Sequence, residues 1–387
     1  MAAERPTHAE PQQAEPQLVT PESLIAANTS EASQERIHNY KVAKEEGKLV
    51  LLKMCADARS GPSLFNSDEI AIERSIAAGI NPLEFAVRHK GVRAIIIAPH
   101  FDGVASAEAG YFNGCGGQDA YGAFGGIHKA ETHEHPVAQY IGSNVHSDNP
   151  FVQAFQQKDD IMAQFHHKGD FKPILIGAVD HRTGEFKPVW CIEQQPDGMY
   201  VTRGYIQSHM LQNPGLITPD TLETIGLERI NEPFHSMVKK NSEFVAANPQ
   251  FPQTQEVQNP TTIVVTTSLI PLRNRYAGLF DIPNTVFVVV APFTKENNGD
   301  VHIVQPDKVL AQVSYPIDKA LHAHGDNDPF RDTKTIIFEA SNMAEARVLA
   351  DGFTKKAWAQ NWLGEGGRMI VAETKSGQTT RAEYLEL

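Results

Sequence analysis

One short segment combines three side chains that could act together on a metal. Its residues are Cys55, Ala56, Asp57, Ala58 and Arg59, and they follow an apolar run. Alternate side chains of an extended chain lie on one face, so Cys55, Asp57 and Arg59 can point to the same place. A thiolate beside an Asp–Arg pair is typical of a zinc site with a controlled water. The alternative is a buried thiol next to a surface ion pair.

The composition indicates a globular chain that works in a reducing compartment. The 387 residues are enough for two domains, and a formal charge of -13 argues against nucleic acid as the main partner. No apolar run is long enough to cross a bilayer and no signal-peptide core is present, so we expect no membrane partner. The three cysteines are too few for a disulfide framework. These features predict a cytoplasmic location.

Patterning along the chain divides it into four parts. Residues 1–33 are rich in Pro, Gln, Glu and Ala and are expected to be a disordered leader. A first α/β unit is predicted over residues 34–204, then a helical connector over 205–260. A second α/β unit is predicted over residues 261–387.

The first unit shows the continuous apolar runs of a parallel sheet. Strands are predicted at residues 49–54, 92–98, 173–179 and 186–190. The last two are joined by a turn at Thr183 and Gly184. Ser67 predicts the N-cap of a short helix that ends at Ser75, and the glycines of residues 103–126 predict a loop.

The order of elements then recurs in the second unit. Strands are predicted at residues 262–267, 284–291, 334–338 and 368–373, and a hairpin closes the unit. This recurrence predicts an internal duplication. Ser268 stands near the place of Cys55 and Ser341 at the place of His100, so the second unit would lack the metal ligands. The alternative is that any two α/β segments resemble each other at this level of detail.

The first unit resembles the β-class carbonic anhydrases. The resemblance rests on the Cys-x-Asp-x-Arg motif, a helix that begins at Pro82, a strand that ends at Pro99 and His100, and the hairpin at residues 177–185. It covers residues 46–190 and, more faintly, 260–387. It implies an α/β fold of two tandem β-carbonic-anhydrase-like units, each a mostly parallel sheet flanked by helices.

The fusion of an active half to a degenerate half narrows this resemblance to one type within the family. It is similar to the carboxysome-shell type, in which one chain makes a pseudo-dimer. We therefore expect an intrachain pseudo-dimer, with a homodimer as a further possibility. Carboxysome association is the alternative to a cytoplasmic location.

The same resemblance implies one Zn²⁺ per chain, held by a Cys, a His and a second Cys. Cys55 and His100 match the first two ligands. The usual third ligand lies three residues after the His, where this chain has Gly103. Cys115, which two glycines follow, is therefore predicted to be the third ligand after an insertion at residues 101–114. The alternative for Cys115 is a flexible loop thiol.

The activity implied is the reversible hydration of CO2 to bicarbonate by a metal-bound hydroxide. Asp57 and Arg59 correspond to the catalytic dyad of the family: Arg59 holds Asp57 ionised, and Asp57 orients the hydroxide. In some members the Asp ligates zinc instead, and both states stay open here. A COS or CS2 hydrolase and a non-catalytic scaffold are the alternative functions.

The remaining histidines and the third cysteine carry weaker signals. The histidines of the segment after the glycine-rich loop are His128, His133, His135 and His146. They could form a second metal site, carry protons to buffer, or be solvated loop residues. Cys191 is predicted to be a buried core thiol.

Overall fold

The computed structural model describes most of the first unit and parts of the second. The described residues are 19–55, 62–65, 67–75, 78, 91–114, 147–166, 172–249, 262–265, 272–276, 279, 287–290, 294–297, 300–303, 335–355, 360, 363–364 and 366–385.

A mostly parallel sheet forms the centre of the first unit. Its strands are β1 (Leu49–Cys55), β2 (Ile70–Ser75), β3 (Val92–Ala98), β4 (His100–Phe101), β5 (Ile174–Asp180), β6 (Phe186–Gln194) and β7 (Tyr200–Gly204). The strand order is β2-β1-β3-β5-β6-β7, and β4 pairs with the end of β5. Strands β1 to β5 pair in parallel, whereas β6 and β7 are antiparallel. This confirms the predicted α/β class with a mostly parallel sheet.

The helices between and beyond the strands cover this sheet and the second one. The described helices are α1 (Pro21–Thr29), α2 (Glu31–Glu45), α3 (Gly103–Ala109), α4 (Pro150–His166), α5 (Ser208–Gln212), α6 (Phe234–Ala247), α7 (Leu272–Arg275) and α8 (Met343–Thr354). Among them, none has the length and apolar character needed to cross a membrane.

Alternate residues of β1 enter two different cores. Leu49 and Leu51 pack in the core that includes residues of α2 and α4. Val50 and Leu52 pack in the core that includes Phe234 of α6. Because both faces of the strand are covered, every residue of β1 is buried, as the continuous apolar run predicts. The sheet is thereby held rigidly from both sides.

A second sheet contains the described strands of the C-terminal unit. Its strands are β8 (Thr262–Val265), β9 (Phe287–Val290), β12 (Thr335–Ala340), β13 (Arg368–Lys375) and β14 (Gln378–Tyr384), in the order β14-β13-β12-β9-β8. Only β14 is antiparallel to its neighbour. Strands β10 (Thr294–Asn297) and β11 (Asp300–Ile303) form a separate antiparallel pair.

The core of the second unit contains a buried ion pair. Arg275 donates two hydrogen bonds of 2.7 Å to Glu339, and both side chains are almost wholly buried. Tyr276 also donates to the Glu339 carboxylate. Burial lowers the pKa of Arg275, but the charge of Glu339, the interaction with Tyr276 and the hydrogen bond to Glu339 together raise it more, so the net direction is upward. The guanidinium therefore stays charged inside the protein.

The N-terminal helix packs against this second sheet rather than the first. The buried amide of Asn28 donates to the carbonyl oxygens of Arg275 (2.8 Å) and Gly377 (3.1 Å). Its oxygen accepts from the Thr379 N–H at 2.7 Å. The disorder expected for residues 1–33 is therefore wrong for 21–33. The helix gains its stability from tertiary contacts that local composition does not reveal. Residues 1–18 lie outside the described part.

Two further local predictions are wrong. The helix expected after Ser67 is instead the strand β2, whose Ile70 and Ile72 are buried beside β1. The loop expected from Gly103 begins with the helix α3, because the Asp102 side chain accepts from the Ala105 N–H at 3.1 Å and caps it. In the first case the pairing with β1, and in the second the Asp102 cap, outweighs the preference of the local residues. The domain boundaries stay predictions.

Candidate metal centre

Cys55 and His100 lie at the same edge of the first sheet. Cys55 is the last residue of β1 and His100 is the first of β4. Met54 pairs with Ala98 of β3, so Cys55 and His100 follow the ends of two neighbouring parallel strands. Such strands run about 4.8 Å apart. Both side chains are buried. This carboxyl edge is where open α/β sheets commonly place their ligand sites.

Backbone bonds to the neighbouring strand fix the segment that carries His100. The Val179 N–H donates to the Pro99 carbonyl, and the His181 N–H donates to the Phe101 carbonyl, both at 2.8 Å. The imidazole of His181 stacks on that of His100, with ring centroids 3.6 Å apart. The position of His100 is therefore set by β5 and by His181, the residue that follows β5.

Asp180 lies between Val179 and His181, whose N–H groups make these two backbone bonds. Its carboxylate accepts hydrogen bonds from two further backbone N–H groups at the edge of the sheet. Its Oδ1 accepts from the Arg182 N–H at 2.8 Å and from the Gly103 N–H at 3.2 Å. Burial raises the pKa of Asp180 above its usual value, and these two backbone donors counter the rise in part. The carboxyl group joins the turn after His100 to the turn after β5.

A more exposed ion pair lies beside this contact. The Arg182 Nε donates to Asp102 Oδ1 at 3.0 Å, and the arginine side chain is half exposed. An exposed pair of this kind contributes about 0–1 kcal/mol. The pair gives Asp102, which caps α3, a second contact, and it contributes little to holding the edge of the sheet together.

The segment after His100 leaves the sheet edge and returns to it. The Asp102 N–H donates to the Asn113 carbonyl at 3.0 Å, and the Asn113 N–H donates to Ser106 Oγ at 2.8 Å. Phe112 packs edge-on against Phe101, with ring centroids 5.0 Å apart. Residues 103–112 thus form a closed excursion whose two ends meet beside His100.

A buried amide links two loops near this edge. Asn241 of α6 donates to the carbonyl oxygens of Leu64 (3.2 Å) and Gly184 (2.9 Å). Its oxygen accepts from the Phe186 N–H at 2.8 Å. Leu64 belongs to the short 3-10 turn that follows the Cys55 segment, and Gly184 lies in the turn after β5. Asn241 therefore fixes both loops to the same helix.

Two of the five predicted site residues fall in the described part of the chain, and the structure brings them together at one edge. They are Cys55 and His100. The predicted dyad Asp57 and Arg59 and the predicted ligand Cys115 lie outside the described residues. So do His128, His133, His135, His146 and Ser268. Within the described ranges, no three His, Cys, Asp or Glu side chains converge closely enough to hold a metal.

Gly103 lies so close to Asp180 that the structure leaves no room for a side chain at this position. A Cβ built on Gly103 would lie 2.7 Å from the Cγ of Asp180 and closer still to its Oδ2. Unstrained contacts of a Cβ are longer than 3.0 Å. Any side chain at position 103 would therefore displace Asp180 from its two backbone donors.

The other predicted residues have local roles. Cys191 is wholly buried in β6, and burial raises the pKa of its thiol to about 11. This confirms the prediction of a core thiol. Ser341 Oγ donates to Glu345 at 2.8 Å at the start of α8.

The roles of Asp180 and His181 are not among those predicted from the sequence. The signal that could have revealed them is their place at the carboxyl end of a buried strand, where Cys55 and His100 also lie. Polar residues at the carboxyl ends of neighbouring parallel strands meet at one edge.

Comparison with known proteins gives one distant structural match. No known protein family matches the chain, and no curated protein does. A solved structure titled "The structure of the beta-carbonic anhydrase CcaA" matches with a TM-score of 0.26 and 10% sequence identity. The match covers 47% of this chain and 92% of that one. At this level of similarity it does not establish a shared fold or activity.

Proposed function

We propose that this chain is a zinc-dependent carbonic anhydrase, which catalyses the reversible hydration of CO2 to bicarbonate with one Zn²⁺ per chain. The proposal is carried by Cys55 and His100, which lie buried at the ends of neighbouring parallel strands. A thiolate and an imidazole nitrogen are donors that zinc prefers. A buried thiolate also requires a compensating positive charge, which a metal provides.

The closed excursion after His100 supports Cys115 as the third donor. Asn113 is hydrogen-bonded to Asp102, which lies two residues beyond His100. Cys115 lies two residues beyond Asn113, and two residues span at most about 7 Å. We therefore assign the third donor of the proposed site to Cys115. Three protein donors leave one tetrahedral position for a water, which is the pattern of a catalytic site.

The chain's own residues then have distinct tasks. A zinc ion, when bound, lowers the pKa of a water to about 7 and so supplies hydroxide at neutral pH. Arg59 keeps Asp57 ionised through a charge-assisted pair. Asp57 accepts a hydrogen bond from the nucleophile and turns it toward CO2. The packed strands around Cys55 and His100 keep the donors desolvated and fixed.

We also propose that the second unit is a degenerate copy that makes an intrachain pseudo-dimer with the first. Among the described strands, each sheet contains four neighbouring parallel strands (β2-β1-β3-β5 and β8-β9-β12-β13) with an antiparallel strand beside them, which supports a common origin. The first sheet also has β4 and β7. Strand β2 lies beside β8, so the edges of the two sheets meet. The chain order of the strands differs at those edges. The edge strand β2 follows its neighbour β1 along the chain, whereas the edge strand β8 precedes its neighbour β9.

The test combines metal content with turnover. Zinc per chain would be measured by mass spectrometry of the purified protein, and CO2 hydration by stopped flow. We expect about one zinc per chain, and its loss together with activity in Cys55→Ser, His100→Ala and Cys115→Ser. Cys191→Ser is the matched control, because this buried cysteine lies in β6, away from the proposed ligands. It should keep both zinc and activity.

Each alternative function has its own outcome. Wild-type protein that is folded, free of zinc and unable to bind it would overturn the proposal and favour a non-catalytic scaffold. Zinc-loaded protein that releases sulfide from COS or CS2 but does not accelerate CO2 hydration would favour the hydrolase. Zinc retained in Cys115→Ser would place the third donor elsewhere.

A further inference from the structure

The contact between Gly103 and Asp180 is closer than ordinary packing within a loop. The Gly103 N–H donates to Asp180 Oδ1 at 3.2 Å, while Oδ2 occupies the space of a Cβ at position 103. The same Oδ1 accepts from the Arg182 N–H at 2.8 Å. Asp180 as a whole is a buried residue. One short side chain is thus fitted against the backbone of two separate turns.

We propose that Asp180 is a positioning residue for His100, because it ties the backbone of the turn after His100 to the end of β5. This inference rests on the function proposed above, in which His100 is a metal ligand. It adds a residue that touches neither the metal nor the substrate but fixes a group that does.

Two sets of hydrogen bonds support this role of Asp180. Backbone pairing to β5 holds the segment on both sides of His100, through the carbonyl oxygens of Pro99 and Phe101. Asp180 extends that hold past the end of the strand, since it bonds to Gly103 where backbone pairing has stopped. Without it, the backbone beyond Phe101 would lose its anchor to the end of β5, and the excursion at residues 103–112 would start from an unfixed point.

Gly103 is the complementary half of the arrangement. No left-handed φ is involved, so the requirement for glycine is one of space alone. A methyl group at position 103 would push the carboxyl group away from both backbone donors. Gly103→Ala should therefore have the same effect on His100 as removal of the Asp180 carboxyl group. A pair that shares one space in this way shows coupling in a double-mutant cycle.

The experiment uses the full chain and zinc itself as the probe. The variants are Asp180→Ala, Asp180→Asn, Gly103→Ala and the double variant Gly103→Ala with Asp180→Ala. The matched control is Asp197→Ala, since Asp197 accepts from the Met199 N–H at 2.9 Å in an exposed hairpin turn. The zinc dissociation constant is measured by chelator competition. The side-chain NMR signals of His100 are recorded in metal-free protein.

We expect zinc binding to weaken about 10- to 100-fold in Asp180→Ala and Gly103→Ala, the usual effect of losing an outer partner of a ligand. The His100 signals should shift or broaden in the same two variants. Asp180→Asn keeps the Oδ1 acceptor and should remain close to wild type, as should Asp197→Ala. The double variant lacks the same carboxyl contacts, so its zinc binding should be no weaker than that of either single variant, and this non-additivity is the coupling expected.

Two results would overturn the inference. One is unchanged zinc affinity and unchanged His100 signals in folded Asp180→Ala and Gly103→Ala. The other is an equal loss in Asp197→Ala, which would indicate a general effect on stability. If wild type itself binds no zinc, the proposed function fails, yet the His100 signals of the metal-free variants still decide whether Asp180 positions this residue.

Discussion

The imidazole rings of His100 and His181 stack face to face, with centroids 3.6 Å apart and 15° between their planes. His100 is held by β4 and His181 by the turn after β5, so the stack joins two segments that are distant in the sequence. A stacked neighbour restricts rotation of the ring but leaves its nitrogen-bearing edge available. His181 is therefore a part of the site that acts through the shape of its ring.

Two replacements of His181 distinguish the effect of its flat ring from the effect of its imidazole nitrogens. His181→Ala removes the stacked ring and should lower the free energy of unfolding by about 0.5–1.5 kcal/mol, the contribution of an aromatic pair. His181→Phe keeps a flat ring and should lose less. Urea unfolding measures both, and chelator competition should show zinc affinity in the same order. Equal stability and affinity in the two variants would mean that the stack does not support His100.

Asn241 should be among the least replaceable polar residues in the first unit. Asn241→Leu leaves the carbonyl oxygens of Leu64 and Gly184 and the N–H of Phe186 without this partner. Each buried group left unsatisfied costs about 1–3 kcal/mol, so a loss of about 3 kcal/mol or more is expected. Urea unfolding followed by circular dichroism gives the value.

A second asparagine at the end of the same helix provides the control. The Asn248 amide donates to the Phe244 carbonyl at 2.8 Å, but in an exposed setting. Asn248→Leu should change stability by no more than about 0.5 kcal/mol, since water replaces the lost bond. Similar losses in Asn241→Leu and Asn248→Leu would refute the role given to the buried amide.

Much of the first sheet could be predicted from the sequence because its strands are buried on both faces. The apolar runs of β1, β3 and β5 leave few alternatives to a parallel sheet. Strand β2 could not be separated from a helix, because the Ser67 signal is local and the pairing with β1 is not. The helix α3 was missed for a related reason: Gly103 is typical of a loop, whereas here it is required by Asp180.

The candidate site was predictable only in part. Cys55 and His100 stand out because a thiol and an imidazole follow buried strands. Asp180 and His181 follow one too, yet their meaning depends on the pairing of β4 with β5. That pairing joins His100 to Val179, which lies far from it in the sequence, and the residue types alone do not specify it. Pairing of this kind is tertiary information.

Cys191 should be chemically silent in the folded protein. Its thiol is wholly buried, and burial raises its pKa to about 11. A raised pKa keeps the thiol protonated, so at pH 8 about one molecule in a thousand carries the reactive thiolate. Iodoacetamide at pH 8, with site-resolved mass spectrometry, should modify Cys191 only after denaturation. Below pH 11 any slow folded-state reaction should rise about tenfold per pH unit. Rapid modification at pH 8 without unfolding would contradict the burial.

The ion pair of Arg275 and Glu339 should act as a single unit in the second core. Arg275→Met leaves the Glu339 carboxylate buried without its charge partner and should cost about 3–5 kcal/mol. Replacement of both residues, Arg275→Met with Glu339→Leu, removes the stranded charge and should restore much of that loss. The exposed pair of Arg381 and Glu383, 3.0 Å apart, is the control, and Arg381→Met should cost at most about 1 kcal/mol. Urea unfolding of the single and double variants gives the coupling energy. Losses that simply add would show that the two charges do not depend on each other.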